Sequence, residues 1–593
     1  MDVTQLGQLG KAIAGHRDEI AQDGTFLPIR LGLLGSHTLD FIEGALHATA
    51  LRHGLLLSLT RAPYGQFAQA IFDSGFGLIP GTLDVVLLAL DARALGIYRP
   101  QLNDEAAVAA VDAAISQVVS LRNGIRDRLG AVAAFQTLPL PADPLFGAFD
   151  ARMPGSPRSM ADAFNRRLSE VLLSGDIIVD LAFAAASVGL ARWHDSRAWH
   201  GAKLPCALEV VPLYADHVCR VLGAFRGKTR KCLVLDLDNT LWGGVIGDDG
   251  LEGIVLGNGS GTGEAFAALQ TLALDLRARG IILAVCSKND EANAILPFRK
   301  HNEMVLKEEH IACFVANWTD KAANLRDIAG ILNIGTDSLV FLDDNPAERA
   351  IVRMELPEVA VPEVGEDPAE FPGLLMRAGY FEALSFSSED RLRADLYRAN
   401  ADRLKLQSSV TNLTEYLTSL EMTMYVSPFD APGRPRITQL INKSNQFNLT
   451  SRRYSEAQIE AAEKDPKKFT LQVRLVDKFG DNGIISVIIF DKEREKWSCD
   501  TWLMSCRVLG RRVEEAVLAV VAKAARAEGA TALRGRYIPT KKNDLVIDHF
   551  AKLNFEPISS SDNGTTDWQL ELAHYETPVL PVTIEWLDQE KCR

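Results

Sequence analysis

Short apolar runs alternate with amphipathic stretches through the first part of the chain, and this pattern predicts parallel strands joined by helices. Three runs read as strands, and a long helical stretch, 104–129, lies between the last two: RLGLLGS (30–36), DVVLLALD (84–91) and DIIVDLA (176–182). Buried parallel strands have this nearly continuous apolar character. The first segment is therefore predicted to be an α/β domain.

The second segment repeats the pattern more regularly, because each apolar run ends in polar or charged residues. The four runs are KCLVLDLD (231–238), GIILAVCS (280–287), HIACFVAN (310–317) and DSLVFLDD (337–344). Amphipathic stretches at 264–279 and 321–333 predict helices between them. The pattern predicts a doubly wound parallel sheet, in which ligands bind at the carboxyl ends of the strands.

The pattern changes after residue 375. A charged helical stretch, 387–407, is predicted to be a bridge whose polar face is mostly solvated. Alternating runs then predict antiparallel strands joined by turns at DNG (481–483) and DKEREK (491–496), followed by a long helix, 511–529. The runs are EMTMYVSP (421–428), FTLQVRLVDKFG (469–480), GIISVIIFDKE (483–493) and KWSCDTWLMS (496–505).

These changes of pattern divide the 593 residues into an α/β multidomain chain. The predicted parts are 1–225 (α/β), 226–375 (doubly wound sheet), 376–420 (helical linker) and 421–593 (α+β). The composition, 47% hydrophobic and 24% charged residues, is that of a globular protein with a large buried core.

Charge and cysteine usage narrow the classes of function. The formal charge of −14 argues against a nucleic-acid partner, which requires a basic surface. No apolar run has the length of a membrane span, and the first residues lack a signal-peptide core, so we expect a cytoplasmic protein without a membrane partner. The eight cysteines show no CxxC spacing, which argues against a disulfide framework or a zinc site. Any of them could be a working thiol.

Two carboxylates spaced by two residues, Asp236 and Asp238, end the first strand of the second segment. The first can attack phosphorus as a nucleophile, while the second protonates the leaving oxygen and later deprotonates water. Such chemistry uses Mg²⁺ with hard oxygen ligands, which Asp343 and Asp344 supply at the end of another strand. Ser287 can hydrogen-bond a phosphoryl oxygen, and Lys321 can neutralise the transferring charge.

This order of motifs (DxDxT, a strand-ending Ser, a Lys, an acidic pair) resembles the haloacid dehalogenase (HAD) superfamily. The resemblance implies Asp236 as nucleophile and Asp238 as general acid/base. It also implies phosphate-binding and metal-binding sets, which are Thr240, Ser287, Lys288 and Lys321, and Asp236, Asp238, Asp343 and Asp344. The stretch between 236 and 287 leaves no room for a large cap domain, so we expect an open site that suits a substrate presented by another protein.

Longer strings are similar to the FkbH-like family. They are DLDNTLWGGVIGDDG (236–250), SKND (287–290), WTDK (318–321), FLDDNPAER (341–349), QLINKSNQFNLTSRRY (439–454), DKFGDNG (477–483), SCRVLGRRVE (505–514) and YIPTKKN (537–543). The resemblance implies an enzyme that takes a glyceryl unit from 1,3-bisphosphoglycerate, removes phosphate and loads the acyl group onto an acyl carrier protein. The acceptor would be the thiol of the phosphopantetheine arm, in polyketide or related biosynthesis.

An acyl-transfer step of this kind needs a nucleophile, and Cys506 is the candidate. It precedes a predicted helix, whose N-terminal amides and neighbouring arginines would favour the thiolate. The alternative is a small buried hydrophobic residue. The last segment also resembles the GNAT acyltransferase fold, which implies a loop that holds a phosphate and residues that contact pantetheine. The candidates are Arg507, Gly510, Arg511, Arg512, Tyr537 and Asn543. Because Arg512 replaces a small residue of the GNAT loop, a single phosphate fits there better than a pyrophosphate.

The first segment is similar to SGNH hydrolases in the order of Ser36, Asp195 and His200, a potential catalytic triad. The motif is incomplete, because Gly35-Ser36-His37 replaces the usual GDS and the spacing from Asp to His is long. A docking or scaffolding domain with an SGNH-like fold is the alternative.

Two other functions stay open for the whole chain. It could be a Mg²⁺-dependent phosphatase or phosphotransferase acting on another phosphorylated substrate, which would need Asp236 but not Cys506. It could also be a GNAT-type module that loads an acyl group from a donor without phosphate, which need not use Asp236.

Overall fold

The computed structural model describes residues 2–73, 75–76, 78–173, 175–386, 388–409, 412–444, 446–505, 508–540, 543–561 and 564–587. Two compact units are present. The first contains Met1–Thr229 and Gly379–Phe386, and the second contains Arg230–Ala378 and Ser387–Arg593. None of the helices in these described ranges is long and apolar enough to cross a bilayer.

The first unit is built on a five-stranded parallel sheet in the order β2-β1-β3-β4-β5. The strands are β1 (Leu27–Gly35), β2 (Leu55–Arg61), β3 (Val85–Ala89), β4 (Val132–Gln136) and β5 (Ile177–Val179). The helices are α1 (Val3–Gly15), α2 (Arg17–Asp23), α3 (Asp40–Arg52), α4 (Phe67–Phe72), α5 (Asp104–Gly124), α6 (Pro157–Val171), α7 (Leu181–Val188), α8 (Leu190–Trp193), α9 (Ser196–Ala202) and α10 (Val211–Phe225). The chain passes from β1 to β2 on one side and then crosses to β3 on the other side of β1, so the expected α/β domain has a topological switch point at the carboxyl end of β1.

The second unit begins with a four-stranded parallel sheet in the order β8-β7-β6-β9. Its strands match the four apolar runs: β6 (Cys232–Leu235), β7 (Ile282–Ser287), β8 (Cys313–Ala316) and β9 (Leu339–Leu342). Its helices are α11 (Ile246–Gly253), α12 (Gly261–Ala278), α13 (Glu291–Ala294), α14 (Leu296–Lys300), α15 (Lys321–Leu332), α16 (Pro346–Glu355) and α17 (Phe371–Arg377). The strands are fully buried apart from β8, as expected for a sheet covered on both faces.

Two helices, α18 (Ser388–Ser409) and α19 (Leu413–Ser419), lead to the last part of the chain. The polar residues of α18 are less solvated than the sequence predicts. Tyr397 packs in the core of the four-stranded domain, and Arg403, which is 1% exposed, forms an ion pair with Asp477 of the last part of the chain. The helix therefore packs against both halves of this unit.

The last part is an eight-stranded mixed sheet in the order β15-β16-β14-β13-β12-β11-β10-β17. Its strands are β10 (Met422–Ser427), β11 (Lys468–Asp477), β12 (Gly480–Lys492), β13 (Lys496–Met504), β14 (Ala532–Tyr537), β15 (Glu556–Ser560), β16 (Thr566–Glu571) and β17 (Val582–Trp586). Its helices are α20 (Arg434–Lys443), α21 (Glu456–Lys464), α22 (Val513–Ala527) and α23 (His549–Lys552). The predicted runs pair antiparallel from β10 to β13, and β14 joins β13 in parallel.

The DNG sequence is not the turn that the pattern predicts. Asp477 pairs with Gly480, so Lys478 and Phe479 make the connection and DNG lies inside β12. Gly483 has a φ of +66°, and the pairing of β11 with β12 is irregular opposite this stretch. The glycine therefore serves a β-bulge, where a positive φ is needed.

Candidate active site in the central domain

The acidic and basic residues that the motifs single out meet at one edge of the four-stranded sheet. Asp236 follows β6, Ser287 ends β7, Lys321 begins α15 after β8, and Asp343 follows β9. All four strands are parallel, so their carboxyl ends lie at the same edge. The topology thus brings residues more than a hundred positions apart into one site.

Lys321 lies at the centre of this site. Its Nζ is 3.0 Å from Oδ1 of Asp236 and donates a hydrogen bond to Oδ2 of Asp343. All three side chains are buried. Burial disfavours the charged ammonium, but the two carboxylates outweigh it and raise the pKa of Lys321 above its ordinary value. Lys321 is therefore a fixed positive charge beside the expected nucleophile.

A second contact joins the loops that follow β6 and β9. The Thr240 hydroxyl donates to Oδ1 of Asp344 at 3.2 Å and accepts from the Asp344 backbone N–H at 3.1 Å. Thr240 is fully buried, and Asn239 before it has a positive φ of 53°. Thr240, a predicted phosphate ligand, is thus placed where it fixes an acidic residue.

Three carboxylates, those of Asp236, Asp343 and Asp344, each offer an oxygen within 4.8 Å of the others. Burial raises the pKa of Asp236 to about 7 against the opposing attraction of Lys321, and the carboxylate of Asp343 adds to the rise. Burial and the charge of Asp343 also raise the pKa of Asp344. A crowded set of hard oxygen donors with one lysine among them fits Mg²⁺, whose charge would offset the excess of negative charge.

Asp238 lies outside this carboxylate group, although the resemblance to the HAD superfamily implies that it is a metal ligand. Its Oδ1 accepts from Trp242 Nε1 and from the Ile246 backbone N–H, each at 3.0 Å. Its Oδ2 accepts from Asn289 Nδ2 at 2.7 Å. Sequence reasoning missed both side-chain donors, although Asn289 lies in the SKND string and Trp242 in the motif after the aspartates.

The remaining phosphate candidates follow β7. Ser287 is 2% exposed, and its Oγ accepts from Asn289 Nδ2 at 3.2 Å. Lys288 forms an ion pair outside this group, because its Nζ is 2.6 Å from Oε1 of Glu348.

No separate cap domain is inserted between residues 236 and 320, all of which are described. Trp318, on the loop before Lys321, is 76% exposed.

The candidates of the last domain are engaged in internal contacts. Cys506 and Arg507 lie outside the described residues. The Arg511 guanidinium is buried and donates to Asp477 and to Asn400 of α18, both at 3.0 Å. Arg512, which has a positive φ of 59°, pairs with Glu515 in the first turn of α22. Gly510 also has a positive φ, of 75°.

The other two candidates hold neighbouring loops. The Tyr537 hydroxyl is 3.3 Å from Oδ1 of Asn543, and both residues are buried. Asn543 Nδ2 also donates to the carbonyls of Asn448 and Ile538. A role of these residues toward a phosphopantetheine arm remains a prediction.

Where β13 and β14 do not pair with each other, a separate segment of the chain lies between them and bonds to both sides. These strands pair only over their first three positions. Beyond them, the Leu449 N–H donates to the Trp502 carbonyl, and the Leu449 carbonyl accepts from the Ile538 N–H. The QLINKSNQFNLTSRRY stretch therefore has a structural role here.

The Ser-Asp-His set of the first unit is not assembled as a triad. Ser36 Oγ is 3.2 Å from Oδ1 of Asp91, and Asp195 caps α9 by accepting from two backbone N–H groups. His200 is exposed on α9, and among these described residues no hydrogen bond joins Ser36, Asp195 and His200. His37, at the switch point, is buried, and burial lowers its pKa to about 4.

Comparisons with known proteins agree with the central site. No protein-family model matches the chain, and no curated protein matches it. Among solved structures, the chain is similar to the N-terminal part of the protein BF1531 from Bacteroides fragilis, which contains a phosphatase domain and was crystallised with Mg. The identity is 32% and the TM-score 0.58, over 65% of this chain and 100% of that chain. This similarity supports the prediction that the central domain is a HAD-type phosphatase domain.

Acetyltransferases also appear among the solved structures, with lower similarity. The ribosomal-protein-S18-alanine N-acetyltransferase from Escherichia coli shares 10% identity over 26% of this chain and 99% of its own, with a TM-score of 0.21. The GNAT domain of S. lividans PAT shares 16% identity over 25% of this chain and 89% of its own, with a TM-score of 0.20. Because both TM-scores are far below 0.5, these similarities do not establish the fold of any part of this chain.

Proposed function

Because this chain belongs to the same family as the N-terminal part of BF1531, with its phosphatase domain, we propose that its central domain is a Mg²⁺-dependent phosphoryl-transfer site of the HAD type. The observation that carries the proposal is the buried Lys321 between Asp236 and Asp343, with Asp344 beside them. A nucleophile, a cation and a metal-binding carboxylate set lie together at the strand ends.

The chain's own residues divide the reaction between them. Asp236 attacks phosphorus, the bond from phosphorus to the leaving oxygen breaks, and Asp238 gives that oxygen its proton. Ser287 and Lys321 contact the phosphoryl oxygens. Water then attacks the phosphoaspartate with Asp238 as base, which releases inorganic phosphate and restores Asp236. Asp236, Asp343 and Asp344 would hold Mg²⁺, which would neutralise charge on the phosphoryl group when bound.

We further propose that the substrate is 1,3-bisphosphoglycerate and that the acyl acceptor is the phosphopantetheine thiol of an acyl carrier protein. The Cys506 thiolate attacks the acyl carbonyl, and the carbonyl–oxygen bond breaks to release the acyl phosphate group as inorganic phosphate. The carrier thiolate then attacks the thioester and frees Cys506. The phosphate ester at the other end of the glyceryl unit is hydrolysed at Asp236. The resemblance to the FkbH-like family supports this assignment.

Cysteine environments favour Cys506 as the nucleophile. Six of the eight cysteines are described, and all six are buried. Burial raises the pKa of the Cys206, Cys219, Cys232, Cys286 and Cys499 thiols, which disfavours the reactive thiolate. Cys506 and Cys592 lie outside the described residues, and of these only Cys506 belongs to a motif.

The test is intact-mass spectrometry of holo acyl carrier protein incubated with the full chain, Mg²⁺ and enzymatically generated 1,3-bisphosphoglycerate. We expect a glyceryl adduct on the carrier with the wild type and with the matched control Cys592→Ala. The glyceryl adduct should be lost with Cys506→Ala, and with Asp236→Asn a heavier phosphoglyceryl adduct should replace it. No adduct, together with phosphate release that needs Asp236, would contradict the acyl-transfer part alone.

A phosphatase or phosphotransferase acting on another phosphorylated substrate is the second candidate. The internal contacts of Arg511, Tyr537 and Asn543 favour it, because these side chains already have partners within the protein. This candidate predicts that Cys506→Ala keeps full phosphate release.

A further inference from the structure

The Asp238 carboxylate is held on both of its oxygens. Trp242 Nε1 and the Ile246 backbone N–H donate to one oxygen, and Asn289 Nδ2 donates to the other at 2.7 Å. The last is the shortest of the three bonds. The amide nitrogen of Asn289 faces Asp238, as the ionised carboxylate, which only accepts hydrogen bonds, requires.

Asn289 occupies a fixed position between two elements. It follows Ser287, the last residue of β7, and precedes α13, which Asp290 caps by accepting from the Ala292 N–H at 3.0 Å. Its side chain is 4% exposed, and its Nδ2 also lies 3.2 Å from Ser287 Oγ. One amide group therefore connects the end of β7 with the loop that follows β6.

We propose that Asn289 is a positioning residue that sets the place of Asp238 for proton transfer to the leaving oxygen. This inference rests on the proposed function, which gives Asp238 the role of general acid/base. Proton transfer requires the donor within hydrogen-bond reach of the reacting oxygen, so a carboxylate free to rotate transfers the proton poorly. The role proposed for Asn289 is in this proton transfer and not in the attack on phosphorus.

This role makes the effect of losing Asn289 depend on the leaving group. An alkyl phosphate ester leaves as an alkoxide and needs the proton from Asp238. An acyl phosphate leaves as a carboxylate, which is stable without that proton. A residue that only supports the fold, or only orients Ser287, would affect both substrates equally.

The experiment compares glycerol 3-phosphate with acetyl phosphate in the full-length protein with Mg²⁺. The variant Asn289→Leu keeps the side-chain size and removes the donors, and Asn293→Leu, at an exposed position of α13, is the matched control. The readout is kcat/KM, which reports the steps up to departure of the leaving group. We expect Asn289→Leu to lower kcat/KM roughly 10²-fold for glycerol 3-phosphate and about threefold or less for acetyl phosphate.

Equal losses for the two substrates, or no loss for either, would overturn the proposal. Trp242→Phe supplies a second variant, because it removes the other side-chain donor while the Ile246 N–H remains on the same oxygen. The same leaving-group dependence, with a smaller amplitude, is expected from it. Wild-type protein without Asp236-dependent phosphate release from either substrate would contradict the proposed function, and this inference with it.

Discussion

Two buried charge clusters of the second unit have opposite arrangements. In the central domain, one cation, Lys321, is shared by two carboxylates. In the last domain, one carboxylate, Asp477, is shared by the guanidinium groups of Arg403 and Arg511. Both clusters are almost fully buried, so burial alone does not distinguish a reactive site from a structural one.

Their surroundings do distinguish them. The Lys321 cluster lies at the ends of parallel strands and includes a further acid, Asp344, which leaves an excess of negative charge for a cation. The Asp477 cluster joins α18, the connection from β11 to β12, and the loop before α22, and Asn400 accepts from both of its arginines. The first arrangement needs a ligand for charge balance, whereas the second is completed within the fold.

The largest expected effect is on the first cluster. Lys321→Met removes its only positive charge, and we expect phosphate release to fall roughly 10²- to 10³-fold, as for loss of one charge-stabilising group. Lys288→Met is the comparison, because that lysine pairs with Glu348 and its side chain is 36% exposed. Steady-state phosphate release measures both. Equal losses in the two variants would show that the central position of Lys321 confers no special role.

The second cluster should affect stability rather than chemistry. Asp477→Asn leaves two buried guanidinium groups without their carboxylate, so we expect a loss of about 3–5 kcal/mol in unfolding free energy. Asp481→Asn, which breaks an exposed pair with Arg474, should cost about 1 kcal/mol or less. Urea unfolding, monitored by hydrogen exchange of β11 and β12, measures the unfolding free energy of both variants. Phosphate release at 25 °C should change less than threefold in either variant, roughly the effect of a residue remote from the chemistry, and a large loss would contradict the structural role of Asp477.

The same contrast explains what the sequence could predict. The four strands of the central sheet and the meeting of Asp236, Lys321 and Asp343 follow from apolar runs that end in polar residues, since parallel topology alone brings those ends together. The pattern does not predict β2 and β4, because the continuous apolar run of LLLSLTR is only three residues long and VAAFQ is short and rich in alanine.

Contacts across the chain escaped prediction for a different reason. The partner of Arg511, Asp477, lies 34 positions upstream. Only the tertiary fold shows that the Arg511 guanidinium binds this carboxylate, whereas the sequence predicts that it binds a phosphate. The bond from Asn289 to Asp238 likewise depends on how two loops meet at the sheet edge. Residue type and spacing indicate possible chemistry, whereas the partner decides which of the possibilities is used.

The smallest expected effect is a pH dependence confined to the first cluster. The raised pKa of Asp236 means that the native state binds more protons than the unfolded chain between pH 3.8 and about 7. Its contribution to stability therefore falls as the pH rises through that window. Because Mg²⁺ must displace this proton at low pH, it should raise Tm more at pH 8 than at pH 5, by roughly 2–4 °C.

Thermal unfolding with and without Mg²⁺ at the two pH values tests this dependence against the second cluster. Asp236→Asn removes one of the two acids whose pKa is raised, the other being Asp344, so the pH dependence of the Mg²⁺ effect should weaken in that variant. Asp477→Asn should retain the pH dependence of the Mg²⁺ effect but have a lower Tm throughout, because that carboxylate lies in the other cluster. If Mg²⁺ raised Tm equally at both pH values in the wild type, the excess negative charge assigned to the Lys321 cluster would be wrong, and the two clusters would no longer differ in their need for a cation.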